Sequence, residues 1–206
     1  MKLIALLIVA FLPPLILAVN FLYLVLTRST YEQIFQKLSI YQNFSSQDEA
    51  IYLIDNLIGY FRGKNMLEQN FFSTQAVLHL ADVKQVFKTI KIINLFSLAV
   101  VSFSMILLIF TKKCSLIAKS LLLGSTLTII LTILISALFL FNFSDSFEKL
   151  HLVLFNNDLW LFDITDSLFK LFPPTFFMAF AGILTADIIV TSTVIFYLAK
   201  SMAHEK

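Results

Sequence analysis

Two histidines, His79 and His151, stand out as candidates for chemistry. Imidazole is the side chain whose ordinary pKa lets it take up and release protons near neutral pH. His79 lies in Leu78-His79-Leu80-Ala81-Asp82-Val83-Lys84. On a helix, Asp82 at i+3 shares a face with it and can touch it. A carboxylate so placed fixes an imidazole tautomer and raises its basicity. His151 lies in Glu148-Lys149-Leu150-His151-Leu152-Val153-Leu154-Phe155-Asn156-Asn157-Asp158-Leu159-Trp160. Taken alone, each is read most simply as an interfacial histidine, and spacing leaves open whether the two meet. The third, His204, sits in a charged C-terminal tail and is read as solvated and without a role.

Other chemistries find little support. His79, Asp82 and His151 would make a His₂-carboxylate metal set, but there is no His-Glu-x-x-His motif. No metal and no cofactor are expected. Four glycines, Gly59, Gly63, Gly124 and Gly182, build neither a phosphate-cradling loop nor a Gly-x-Ser-x-Gly elbow. The single cysteine, Cys114, excludes a disulfide framework. A net charge of +2 does not argue for nucleic acid.

These residues need elements to position them, and the composition says where. Of 206 residues, 59% are hydrophobic and only 14% charged. Soluble domains carry about 25% charged residues, so the chain is expected to be an all-α polytopic membrane protein. A spanning helix takes about 20 apolar residues. Four stretches qualify, at about 3–26, 90–111, 120–143 and 175–199, within a single integral membrane domain, 1–206. The first holds Pro13-Pro14 and is too long for a signal-peptide core of about 7–15 residues. Asp187 stands within the last span and is read as protonated and bonded to the Thr128/Thr132/Ser136 row of the third.

Lysine and arginine near the spans set the orientation. With the N-terminus inside, Lys2, Lys112, Lys113, Lys119, Lys200 and Lys206 are cytoplasmic against the one acid Glu205. Both termini are then cytoplasmic, and the inner loop is a short basic turn at Lys112–Lys119. Cys114 falls there, across the bilayer from both histidines. The outer loops, about 28–89 and 144–172, far exceed the usual connection of about 2–8 residues. They are expected to build a small helical extracytoplasmic cap. Ser29-x-x-Glu32 and Ser46-x-x-Glu49 are candidate capping boxes. Ile51, Ile54, Ile58 and Phe61 recur at helical spacing, and Gly63 is a plausible stop. Ser73 is placed to cap a helix running from Thr74 into the second span. Asp163-x-x-Asp166 marks a helix start with Asp163 or Thr165 as cap, and Pro173-Pro174 opens the last span. Trp160, the sole tryptophan, suits an interface.

Two segments taken together resemble a known family. His79-Leu80-x-Asp82-Val83-Lys84 precedes the second span. The stretch from His151 through Phe155-Asn156-Asn157-Asp158-x-Trp160, then Asp163, Thr165-Asp166-x-Leu168 and Pro173-x-x-Phe176-Phe177, precedes the fourth. In order, on one side of the membrane and with four spans, this pattern resembles the bacterial lipoprotein intramolecular transacylases. The resemblance implies transfer of the sn-2 acyl chain of a diacylglyceryl lipoprotein to the α-amine of its N-terminal cysteine, giving the lyso form. It places the protein in the bacterial cell membrane with its active site at the outer leaflet, among membrane phospholipid, and a monomer is expected. It maps the family's paired histidines onto His79 and His151, with Asp82, Asp158 and Trp160 in support. Some members carry an acid shortly before the first histidine, where this chain has Ala76 and Val77 and no role is assigned.

An ester-to-amide transfer needs a neutral amine and a stabilised oxyanion. His151 would be the base, and His79, held by Asp82, would serve the oxyanion or protonate the leaving glyceryl oxygen, or the two roles would be exchanged. Donor and acceptor belong to one molecule, so no acyl-enzyme is required. The helix around Ile51–Phe61, or Phe169, Phe172, Phe176 and Phe177, would wall an acyl groove. A non-enzymatic four-span scaffold shares the composition and topology without requiring the histidines to meet. A small transporter would need more polar residues on its spans than Asn20, Asn94, Asp187 and the scattered Ser and Thr.

Overall fold

The computed structural model describes residues 1–68 and 70–204, without the surroundings of the His204 side chain. The reading of His204 therefore lies outside the described residues. Eight α-helices and one 3₁₀ turn are found among them, and no strand. They are α1 (Lys2–Val25), α2 (Arg28–Lys37), α3 (Gln47–Phe61), α4 (Thr74–Phe110), α5 (Cys114–Phe141), α6 (Phe143–Leu154), α7 (Ser167–Leu171) and α8 (Pro174–His204), with the turn at Ile40–Asn43. Four of these, α1, α4, α5 and α8, are long and apolar enough to cross a membrane. The helix α1 runs unbroken through Pro13 and Pro14.

The basic turn is shorter than the sequence reading had it. The helix α5 already starts at Cys114, so Lys119 is helical, and Lys112 makes the turn in the left-handed region at φ 56. The 37 residues of α4 extend about 55 Å at 1.5 Å per residue, well beyond a hydrocarbon core of about 30 Å. The excess is residues 74–89, which carry Asp82, Lys84 and Lys88, while the apolar run follows. His79 thus lies in the polar N-terminal part of α4, ahead of its apolar run.

The chain forms two compact units. The first comprises Met1–Phe21, Thr89–Leu138 and Ile183–Lys206. Its centre is Ile8, Leu108 and Ile117, and a second cluster joins Leu12, Ile16 and Ile188. The helices approach closely where α5 has Gly124: a Cβ there would come within 2.8 Å of Leu12 Cδ2. Small residues at such crossings are the usual means of packing helices in lipid. Interhelical hydrogen bonds join Ser136 to Thr185 at 2.8 Å, and Thr191 Oγ1 to Asn20 Oδ1 at 3.2 Å. Asp187 has no hydrogen bond among the described residues, contrary to expectation. Ser136 is taken by Thr185, and Thr128 bonds back to the Gly124 carbonyl.

The second unit comprises Leu22–Lys88 and Phe139–Gly182. Here α3 is capped as the sequence indicates: Ser46 Oγ accepts from Glu49 N at 3.1 Å, and Glu49 accepts in return from Ser45 N at 2.8 Å. It ends on Gly63 at φ 75, with Lys64 N bonded to the Gly59 carbonyl and Gly63 N to that of Tyr60. That pair of bonds is the Schellman ending, for which glycine alone carries no Cβ penalty. The apolar face of α3 (Leu53, Ile54, Leu57, Ile58 and Phe61) is buried. The helix packs against α2 and the 3₁₀ turn.

Two other caps differ from the sequence reading. Ser29 lies inside α2 rather than capping it, since Glu32 is drawn to Arg28 at 2.7 Å. The cap of α7 is Asp166, which accepts from Leu168 N at 2.8 Å. Asp163 instead closes a local turn on Thr165, accepting from its N–H at 2.8 Å and its hydroxyl at 2.7 Å.

Candidate functional site

The N-terminal turns of α4 set the first half of the site. Ser73 caps the helix, accepting from Ala76 N at 3.1 Å, and its hydroxyl donates to Asp166 Oδ2 at 2.7 Å. Helical periodicity then puts Gln75, His79 and Asp82 on one face, at i, i+4 and i+7. The second half comes from α6 and the segment after it. Asn142 starts α6 by accepting from Asp145 N at 3.3 Å, and the helix ends just past His151, at Leu154.

Both histidines belong to the second unit, and their rings stack with centroids 6.3 Å apart and planes inclined by 25°. His79 is buried, with 7% of its surface exposed. Phe155 and Phe162 meet it edge-on, at 5.0 and 5.5 Å between centroids. His151 is half-buried between Phe147 at 4.2 Å and Trp160 at 4.8 Å. The Phe147 ring in turn meets Phe177 at 5.0 Å, which ties the site to a cluster of Tyr31, Phe35, Phe172 and Phe176.

Hydrogen bonding fixes the state of His151. Its Nδ1 lies 2.8 Å from the Phe147 carbonyl. A carbonyl only accepts, so Nδ1 carries the proton, and in the neutral ring Nε2 holds the basic lone pair. His79 Nδ1 is buried with no partner among the described residues, and so is the indole N–H of Trp160. Unsatisfied buried nitrogens are rare enough in proteins to need an explanation. Here both flank His151.

The electrostatics favour neutral imidazoles. Burial, and after it the neighbouring His151, push His79 down to about 4, with Asp82 only partly opposing them. Burial also lowers His151, against the opposing pull of the Phe147 carbonyl. Asp82 acts on His79 through space alone. Its carboxylate accepts from Asn157 Nδ2 at 2.9 Å, and no hydrogen bond joins it to His79 among the described residues. The i+3 spacing brings Asp82 to the right face, and the 157 side chain reaches it there.

Beside Trp160 lies a pocket of about 430 Å³, lined by Phe143, Phe147, Glu148, Leu152, Asp158 and Trp160 among others. The side chains of Glu148 and Asp158 are exposed. No group of three or more His, Cys, Asp or Glu converges as metal ligands among the described residues. Of the suggested acyl-groove walls, the α3 face is used in packing, and Phe176 is itself buried at 4% exposure.

The sequence reading gives no part to Gln75, Phe147 and Phe162, and names Phe155 and Asn157 only within the family pattern, without a role. Phe147 was open to detection at i−4 from His151. Gln75, at i−4 from His79, and Phe155, at i+4 from His151, also sit at helical spacing, but their partners across the site, like those of Asn157 and Phe162, lie more than 70 residues away, where local spacing carries no sign.

Comparison with known proteins agrees with this architecture. The family model described as lipoprotein intramolecular transacylase Lit matches residues 4–177. Among solved structures, the chain is similar to the membrane integral lipoprotein intramolecular transacylase Lit from Bacillus cereus, at 27% identity and a TM-score of 0.89. The match covers 99% of this chain and 96% of that one. Two variants of the Bacillus cereus protein, with a histidine replaced by arginine or by alanine, give TM-scores of 0.85 and 0.84. Their identities are 27% and 26%, over 99% of this chain and 92% and 94% of theirs. No curated protein sequence matches the chain. A multi-pass membrane architecture follows from the four apolar helices and the membrane-integral relative.

Proposed function

The chain belongs to the lipoprotein intramolecular transacylase family, and on that footing we propose that it moves the sn-2 acyl chain of a diacylglyceryl lipoprotein to the α-amine of the N-terminal cysteine, by histidine acid–base catalysis. An acyltransferase assignment sets the scaffold and transporter alternatives aside. The reaction takes place at the outer leaflet of the bacterial cell membrane, among phospholipid. The protein acts there as a single integral membrane domain and a monomer, with both termini cytoplasmic.

The observation that carries the mechanism is the 2.8 Å contact of His151 Nδ1 with the Phe147 carbonyl. It leaves Nε2 as the base and so favours His151 over His79 for that role. An ordinary α-amine has a pKa of about 7.7–8.0, so roughly a tenth of it is neutral at pH 7. That fraction attacks the ester carbonyl. The nitrogen becomes strongly acidic as the N–C bond forms, and His151 Nε2 then takes its proton. A base with a lowered pKa suffices for this step, whereas it would be a poor match for the free ammonium.

His79, kept neutral by burial, offers an N–H to the tetrahedral oxyanion, and the Trp160 indole N–H is a second donor. Preformed donors of this kind are each worth about 3–4 kcal/mol in other enzymes. The imidazolium of His151 returns the proton to the glyceryl oxygen as the C–O bond breaks, so no proton or acyl group remains on the protein. Asp158, at the wall of the pocket, attracts the cationic amine before it reacts. Asp82 supports the arrangement from α4.

The test is mass spectrometry of a reporter lipoprotein's N-terminal peptide from a host without its own N-acylating enzymes. Expression of this chain should give an isomer of unchanged mass with one acyl chain on nitrogen. A peptide that stays diacylglyceryl, with the protein present in the membrane, overturns the reading.

A further inference from the structure

Gln75 lies one helical turn before His79, on the same face of α4, and the acid–base reading gives it no part. Its amide Nε2 donates to two backbone carbonyls of the segment after α6, Leu159 at 3.1 Å and Leu161 at 2.9 Å. These two carbonyls bracket Trp160. One turn after His79, Asp82 anchors the same segment through Asn157, whose own Oδ1 accepts from Leu159 N at 3.1 Å. The segment thus leaves α6 at Phe155, passes along α4 and reaches Phe162, and both of these rings close on His79. Between its two anchors it presents the Trp160 ring to His151.

We propose that Gln75 is a positioning residue that straps residues 155–162 onto α4, so that Trp160 is held against His151 and the two imidazoles stay in register. The proposal deepens the acid–base reading above and rests on it. Three features make the amide suited to the task. It carries two N–H groups on one nitrogen, which matches the two carbonyls it reaches. It is uncharged, so it holds the strap without adding to the field at His79. It stands on a rigid helix, where a positioning group is better defined than on a loop. Gln75 touches none of the reacting atoms, so its effect comes through Trp160.

The chain supplies its own probe, because Trp160 is the sole tryptophan. Its ring lies 4.8 Å from that of His151, close enough for an imidazolium to quench the indole. In the purified full-length protein in nanodiscs, Trp160 emission should fall as pH is lowered and His151 protonates. In Gln75→Met, which keeps length but loses both donors, emission should shift to the red and the pH-dependent quenching should disappear. The rate constant for transfer should drop about 10–100-fold, as misplacing a reacting group by about 1 Å does, with little change in KM. Gln75→Lys, which restores a long donor, should recover part of both signals.

Wild-type emission and rate in Gln75→Met would overturn the proposal. So would a lowered rate with the quenching transition intact. If Gln75→Met does not accumulate, Asn157→Ala releases the same strap from its other anchor. Loss of quenching there supports the strap, and its retention counts against it. Separately, full transfer by His79→Ala and His151→Ala would sink the acid–base reading while the emission data still judge the strap.

Discussion

The His79 and His151 rings stack 6.3 Å apart, yet only His151 has its protonation pattern fixed by a backbone partner, the Phe147 carbonyl. His79 shares the site without any hydrogen bond to the carboxylate that follows it at i+3. The pair is therefore asymmetric, with one imidazole oriented as an acceptor of protons and the other buried and neutral.

That asymmetry has a signature in pH. His79 has a folded pKa of about 4, below the ordinary value of about 6.5. A depressed histidine pKa means the unfolded chain binds the proton first. Its contribution to stability is complete above about pH 6.5, shrinks as pH falls, and is gone below about 4. Thermal unfolding in detergent from pH 7.5 to 4 should show this loss, and His79→Phe should flatten the profile. Equal slopes for the two proteins would contradict the burial argument.

The link between Asp82 and Asn157 should behave as a unit. Hydrogen bonds to charged groups contribute about 1.5–3 kcal/mol, and the exposure of Asn157 beside a half-buried Asp82 puts this one near the low end. Asp82→Ala and Asn157→Ala should each slow transfer several-fold, and the double variant should be no slower than the worse single one. Additive effects would mean that Asp82 acts independently of the strap.

Much of this was written locally in the sequence. The four spans follow from long apolar runs with at most one charge each, the start of α3 from Ser46 and Glu49, and its end from Gly63. Errors arose where two local solutions compete. Glu32 pairs with Arg28 in place of Ser29's turn, and Asp163 closes its own turn and leaves the capping of α7 to Asp166. The site is a mixed case. Imidazole chemistry marked His79 and His151 as candidates, but the partners of Gln75 and Asp82 lie 75 to 86 residues along the chain. No periodicity encodes such a pairing. Asp82 is marked by its spacing to His79, but it is the amide of Asn157 that takes its carboxylate.

In the first unit, Gly124 is a position sensitive to size. A Cβ there would lie 2.8 Å from Leu12 Cδ2 and 3.5 Å from the Val9 Cα. The Leu12 tip can give way, but the backbone beneath it cannot. Gly124→Leu should lower the melting temperature, consistent with an overpacking cost of about 1–3 kcal/mol, and Gly182→Leu, with open space around it, should not. Equal melting temperatures for both variants would mean that the α1–α5 contact is looser than described.

The most direct test of the central claim is the rate of N-acyl product formation by His151→Ala and His79→Ala, followed by mass spectrometry of the lipoprotein N-terminal peptide at matched expression. General acid–base catalysis contributes about 10²–10⁴-fold, so His151→Ala should lose at least 10²-fold, and His79→Ala should lose activity through the oxyanion. Transfer at the wild-type rate in His151→Ala would contradict the account, whatever the outcome for His79.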